Sequence, residues 1–141
     1  MAIIFHEKDI YRQKIIRSKI KKWIAGEILR RKKVIGDINI IFTNDEFLRE
    51  INKKYLKRNY LTDIISFDYS EKLIINGDIF ISIERVKENA VEYNVCYDLE
   101  LYRVIIHGIL HLLGYKDDTD DRVTMMRKQE DLSIKRLDDL F

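Results

Sequence analysis

Apolar and polar positions alternate along this chain in a way that fixes an order of elements. Ile3 to Phe5 reads as a short strand. From residue 9 to 31 the period is helical, with Ile16, Ile20, Trp23, Ile24 and Ile28 on one stripe and most basic residues opposite. Val34 to Thr43 alternates as a strand, with Ile38, Ile40 and Phe42 on one face. Thr43-Asn44-Asp45-Glu46 is a capping box that starts a helix running to about Tyr55. Residues 57 to 61 form a polar connector, and Thr62 to Tyr69 reads as a strand. Leu73 to Ile75 and Asp78 to Ser82 flank Asn76-Gly77, a dipeptide that favours a type I′ turn and predicts a hairpin. Ser82 can cap a helix ending near Asn94. Asp98 and Glu100 sit at the start of the next helix, whose apolar run Val104 to Leu113 stops at Gly114. A last helix spans about Asp120 to Leu137, with Val123, Met126 and Leu132 as core candidates.

The order strand, helix, strand, helix, two or three strands, three helices predicts an α+β fold. One mixed sheet of about four strands carries packed helices, with the Val104–Leu113 helix central. At 141 residues without proline or a low-complexity stretch, residues 1–141 read as a single domain. Hydrophobic residues at 46% and charged ones at 35% suit a globular chain. No apolar run approaches the roughly 20 residues a membrane span needs. The N-terminal stretch lacks the pattern of a signal peptide. The lone Cys96 leaves no internal disulfide partner, and a cytoplasmic location is expected. The net charge is only +2, but bases gather over residues 12–33 and again at Lys53, Lys54, Lys57 and Arg58. Such clusters attract a phosphate backbone through counterion release, although a Lys-rich helix is more often only a solvated face.

The chemistry concentrates in His107-Gly108-Ile109-Leu110-His111, where two imidazoles four apart share one helix face. That spacing lets one divalent ion take both nitrogens, and Asp117, just past the Gly114 stop, can fold back as an oxygen ligand. Two histidines and a carboxylate with an open position form a catalytic zinc formula, so one divalent metal is expected, zinc first. Each histidine could instead be an ordinary core residue with one hydrogen bond, but two on one aliphatic helix would both need partners there.

These residues carry a resemblance. The segment His107 to Asp117 resembles H-G-x-L-H-L-x-G-Y-D-H, the signature of the YbeY family of metal-dependent endoribonucleases. Lys116 stands where the family has Asp, and Asp117 where it has the third His. The family's L-N-x-x-Y-R-x-x-D-x-P-T-D-V-L-S-F is similar to residues 51–67, matched at Asn52, Tyr55, Thr62, Asp63, Ser66 and Phe67. Leu56 replaces the family arginine, Asn59 its aspartate and Leu61 its proline. Gly77-Asp78-Ile79-Phe80-Ile81 matches G-D-I-x-I, and Met126 with Glu130 matches a Met and a Glu four apart.

The resemblance implies a single-strand-specific endoribonuclease of ribosomal RNA processing. It would act in small-subunit 3′-end maturation, with ribosomal RNA and the small subunit as partners. The implied metal ligands are His107, His111 and Asp117. Lys57 or Arg58 could take over from the missing arginine at Leu56, Asp63 is a further catalytic candidate, and Lys53, Lys54, Lys57 and Arg58 are candidate RNA contacts. Coordination brings a water pKa from about 15.7 to about 7, and a ribose 2′-OH is the other available nucleophile. Two alternatives stand beside this reading. A zinc peptidase of the H-E-x-x-H type needs a Glu where this chain has Gly108, and would have to draw its base from Glu130, Asp63 or Asp118. A non-catalytic ribosome- or RNA-binding factor would hold the metal structurally, usually with four closed ligands.

Overall fold

The computed structural model describes residues 2–57 and 62–140. Its elements are β1 (Ala2–Glu7), α1 (Arg17–Arg30), β2 (Val34–Thr43), α2 (Asp45–Leu56), β3 (Ile64–Asp68), β4 (Ile74–Ser82), α3 (Ile83–Glu92), α4 (Tyr97–Leu112) and α5 (Asp120–Asp138). The strands form one mixed sheet ordered β1-β2-β4-β3, in which β1, β2 and β4 are parallel and β3 runs antiparallel to β4. This is the α+β architecture that the order of periodic segments predicts.

Alternation decides what each face of the sheet carries. Ile3 and Phe5, then Ile38, Ile40 and Phe42, then Ile75, Ile79 and Ile81 are all buried on one side. Full burial of each such side chain contributes roughly 1.5–3 kcal/mol. Ile64 and Ser66 stand opposite Ile81 and Ile79 and share that face. On the other side, Leu48 and Ile51 of α2 pack with Ile65, Phe67 and Phe80. The helix with the two histidines, α4, packs on β3 and β4 and is flanked by α3 and α5. More than half of its residues are buried, as expected of a helix that is apolar on most sides.

The sequence places four local features differently. First, α1 begins at Arg17, because the preceding chain is tied elsewhere: the Gln13 backbone N–H donates to Glu7, and Tyr97 donates to Gln13 at 3.0 Å. Second, the cap of α2 is Asn44, whose side chain accepts from Phe47 N–H at 2.8 Å, while the Thr43 hydroxyl donates to the Lys8 carbonyl. Third, Asn76-Gly77 is no turn but the middle of β4. A Cβ on Gly77 would lie 2.7–2.8 Å from the Leu112 methyls, so this glycine serves the close approach of α4. The turn that joins β3 to β4 lies at residues 69–73, where Lys72 takes the left-handed conformation at φ 55°. Fourth, Val123 and Leu132 are 49% and 40% exposed, and α5 buries Met126, Glu130, Ser133, Ile134 and Leu137 instead.

Gly108 explains how α4 comes so near the sheet. A Cβ there would meet Ile64 Cδ1 at 2.8 Å and Ile79 Cγ2 at 2.9 Å. Gly108→Ala should gain about 1 kcal/mol in helix propensity. Overpacking should cost about 1–3 kcal/mol and leave a net loss of stability in urea unfolding. A stabilised variant would contradict the close contact.

A second joint holds α1 to α5. The buried Glu27 accepts from Ser133 at 2.5 Å, from Arg136 at 2.7 and 2.8 Å, and from Arg31 at 3.0 Å. Trp23 donates to the Ser133 carbonyl at 2.8 Å. Burial raises the Glu27 pKa, but the bonds from Arg136, Ser133 and Arg31 outweigh it and bring it from 4.5 to about 2. A depressed carboxylate pKa contributes stability above pH 4.5 that is lost as the pH falls towards 2. Glu27→Gln should therefore unfold more easily at pH 7 and lose the part of the acid dependence between pH 4.5 and 2, read by circular dichroism against urea.

Candidate metal centre and its groove

The helix end that carries the histidines is closed by a backbone motif that also orients one of them. Gly114, at φ +100°, follows the last turn of α4. Gly114 N–H donates to the His111 carbonyl at 3.0 Å and Tyr115 N–H to the Leu110 carbonyl at 3.0 Å, the paired bonds of a Schellman close. The Tyr115 carbonyl is thereby turned back towards the helix, where it accepts from His111 Nδ1 at 3.0 Å. Arg31 steadies the same tyrosine, donating to its hydroxyl at 3.3 Å with the guanidinium 5.4 Å from the ring centroid. On the preceding turn, His107 Nδ1 lies 2.6 Å from Glu130 Oε2, and Arg103 donates to the other oxygen at 3.0 Å.

Both Nδ1 partners are acceptors, so each Nδ1 carries the proton and each Nε2 presents its lone pair. The two Nε2 atoms face each other at 2.9 Å, and Asp117 Oδ2 lies 3.4 Å from one and 3.6 Å from the other. The ligand atoms of His107, His111 and Asp117 all fall within 4.8 Å of one another and form the one such group among the described residues. Tetrahedral zinc, with ligand bonds of about 2.0–2.1 Å, separates its ligand atoms by about 3.3 Å. Three acceptors at these separations repel unless positive charge lies between them. A proton relieves one pair, whereas a divalent cation engages all three at once. The donor set therefore fits a divalent metal with a position left for a reactant.

The titrating groups respond to the same geometry. Burial lowers the His107 pKa, but the Glu130 hydrogen bond and charge, with Asp117 and Asp63, outweigh it and the net shift is upward. His111 is held low by burial and by the neighbouring His107. Burial pushes Asp63 up, against His107 and a hydrogen bond from Asn89. Glu100 is also raised by burial and by Asp63, with Arg103 and Arg127 opposing.

Two cavities meet at this cluster. One of about 310 Å³ runs between α4 and α5, past Glu100, Arg103, Val104 and His107 on one wall and Val123, Met126, Arg127 and Glu130 on the other. The second, of about 540 Å³, opens beside β3 and the Gly114–Asp117 loop. Asp63, Ile64, His107 and Asp117 line both, so the cluster lies in a groove open on two sides. Ser66 and Leu56 line the second cavity, and Ser66 Oγ is buried without a hydrogen-bond partner among the described residues.

The structure thus brings His107, His111 and Asp117 together and sets Asp63 beside them. Lys53, Lys54 and Lys57 are exposed at the end of α2 and line neither cavity, with Lys57 taking φ 53° at the helix close. Arg58 lies outside the described residues. Glu100, Arg103, Arg127 and Tyr93 line the groove without having been singled out from the sequence, although Glu100 and Arg103 lie seven and four residues before His107 on its own stripe.

The geometry also bears on the peptidase alternative. Gly108 faces Ile64 and Ile79, so a glutamate at that position would be driven into the sheet rather than towards the cluster. Glu130 is held by His107 and Arg103, and Asp118 is exposed and bonded to Arg122 at 2.8 Å. Among the described residues, no helix is long and apolar enough to cross a membrane.

Comparison with known proteins places the chain in a family. The model of the family described as Endoribonuclease YbeY matches residues 3–138. A Flavobacterium psychrophilum protein named endoribonuclease YbeY is 51% identical over 113 residues, which covers 80% of this chain and 81% of that protein. One of the same name from Azobacteroides pseudotrichonymphae is 44% identical over 138 residues, 97% of this chain and 99% of its own. A Thermotoga maritima protein solved in solution shares the fold, with TM-score 0.69 and 24% identity over 96% of this chain and 89% of that one.

Glu130→Ala should leave the three ligands in place but free the His107 ring. Loss of such a partner typically costs 10- to 100-fold in metal affinity, which competition with a chromogenic zinc chelator would read. Unchanged affinity would show that the Glu130 bond does not orient the ligand.

Proposed function

The chain belongs to the endoribonuclease YbeY family, and from that premise we propose that it is a metal-dependent endoribonuclease that cuts single-stranded RNA in ribosomal RNA processing. The observation that carries this reading is the convergence of His107, His111 and Asp117 in a groove open at both ends, through which a strand can pass. We take the substrate site to be the 3′ end of small-subunit ribosomal RNA, the partner to be the small subunit and the compartment to be the cytoplasm. Residues 1–141 act as one YbeY-like domain in this proposal.

His107, His111 and Asp117 would hold the ion, and zinc suits two imidazoles and a carboxylate. When bound, the ion supplies Lewis acidity towards a phosphoryl oxygen and a lowered pKa for a reactant water. The protein does the rest. Glu130 and the Tyr115 carbonyl fix the ring orientations. Asp63, half-buried on the lining of both cavities with one oxygen taken by Asn89 at 3.2 Å, would accept a proton from the attacking hydroxyl or water. Lys53, Lys54, Lys57 and Arg58 would hold the RNA backbone as it leaves the groove. Leu56 lies on the lining of the second cavity and brings no charge to a phosphate there, and Lys57 and Arg58 follow it in sequence.

His111→Ala should abolish cleavage of a single-stranded ribosomal RNA fragment while keeping the thermal midpoint within a few degrees. Chelation of wild-type protein should do the same, with activity restored by zinc. Activity that survives His111→Ala would reject the assignment, and metal-dependent degradation of casein would favour the peptidase.

A further inference from the structure

Glu100 is a buried carboxylate beside the groove that this chemistry leaves unused. It is only 4% exposed, it lies two turns before His107 on the same stripe of α4, and it lines the 310 Å³ cavity. Two neighbouring carboxylates there are engaged, Asp63 by Asn89 and Glu130 by His107 and Arg103, while the charges of Arg103 and Arg127 act on Glu100 without an ion pair to it. The Glu100 carboxylate makes no hydrogen bond or ion pair with a described residue. With most of the side chain buried and no protein donor on its oxygens, the carboxylate is presented to the cavity, where a ligand that brings N–H donors would pair with it.

The walls define the rest of that ligand. Ile64, Val104, Val123 and Met126 supply apolar surface, and Tyr93 stands 57% exposed among the lining residues. A flat molecule with apolar faces and N–H groups on one edge meets both requirements, and a nucleobase is such a molecule. Seven residues of helix place Glu100 about 10 Å along α4 from His107. That is near the reach from a phosphate to the far edge of its own base. Among the bases, guanine presents two adjacent N–H donors that match the two oxygens of a carboxylate. Adenine and cytosine offer one amino group beside an acceptor nitrogen, and uracil one N–H between two carbonyls.

We propose that the cavity between α4 and α5 is a base-reading subsite, in which Glu100 accepts from the Watson–Crick edge of a guanine next to the phosphate held at His107, His111 and Asp117. This deepens the endoribonuclease reading and rests on it. Glu100 acts on specificity, and the bond cut is unchanged.

The test uses fluorescein-labelled oligoadenylate heptamers with one central guanine, inosine or uracil, mixed with the zinc-loaded protein. Binding is read by anisotropy and cleavage by gel. Wild type should bind the guanine strand about tenfold more tightly than the inosine strand, which lacks the 2-amino group, and more tightly still than the uracil strand. Glu100→Gln, whose amide offers one donor and one acceptor, should lose the guanine preference and favour an all-adenine heptamer. If thermal unfolding shows that this variant is not folded, Glu100→Asp replaces it, and the shorter carboxylate should weaken the guanine preference. Equal binding of all three strands by wild type, or a guanine preference undiminished in the folded variant, would overturn the subsite. Strands cut without base preference would overturn it and leave the nuclease reading standing. Strands bound with the preference but never cut would do the reverse, and strands neither bound nor cut would overturn both.

Discussion

Everything reactive in this protein depends on where two imidazole protons go. His107 donates its Nδ1–H to Glu130 and His111 donates its own to the Tyr115 carbonyl, so both Nε2 lone pairs are turned onto one point beside Asp117. Neither acceptor comes from the turn of α4 that carries its histidine. Glu130 belongs to α5, and Tyr115 is placed by the Schellman close at Gly114. The centre is therefore only as rigid as the packing of α5 against α4 and the bend after Leu113. That packing is reinforced at a distance by the buried Glu27, which ties α1 to α5 through Ser133 and Arg136, while Arg31 reaches from the same group to Tyr115. A chain of charge-assisted bonds thus runs from the core to the loop that presents Asp117.

The sheet supplies the other half of the constraint. Gly77 and Gly108 let α4 lie closer to β3 and β4 than a Cβ would permit, and Asp63 precedes β3 at the edge of that contact. The glycine after the first histidine, which in sequence looks like a missing catalytic side chain, is a packing residue that faces away from the cluster.

Periodic apolar segments made the fold legible, since ten alternating residues at Val34–Thr43 or the stripe from Ile20 to Ile28 can be satisfied in only one way. The metal cluster was legible because i, i+4 spacing and a glycine stop are local facts. The hairpin was not: Asn76-Gly77 carries a turn signal, yet its residues serve Asp37 N–H and Leu112 across the sheet, and the turn falls to Lys72. With five glycines and no proline, this chain closes turns and helices on Lys32, Lys57, Lys72 and Asn94 in left-handed conformations, which composition does not announce. Glu100 and Arg103 are not legible as groove residues for a different reason. Acids near a helix start suit the dipole, and only the placement of α5 reveals that this stripe borders a cavity.

Charge joins the cluster to its groove. Around the cavity between α4 and α5, the carboxylates of Asp63, Glu100, Glu130 and Asp117 outnumber the guanidinium groups of Arg103 and Arg127 by two. Left so, the groove would repel a phosphate backbone, and burial already pushes Asp63 and Glu100 towards their neutral forms. A divalent cation at His107, His111 and Asp117 offsets that excess at the point where a phosphate must lie. Were Asp117 a ligand in place of a third imidazole, part of the ion's charge would be spent on its own coordination and the arginines would carry more of the balance. Arg103 is held by Glu130 and Asp131, which leaves Arg127 as the guanidinium of that wall with no ion pair to a described residue. On the proposed reading, the imbalance that favours a metal at this site would also make phosphate binding depend on that metal.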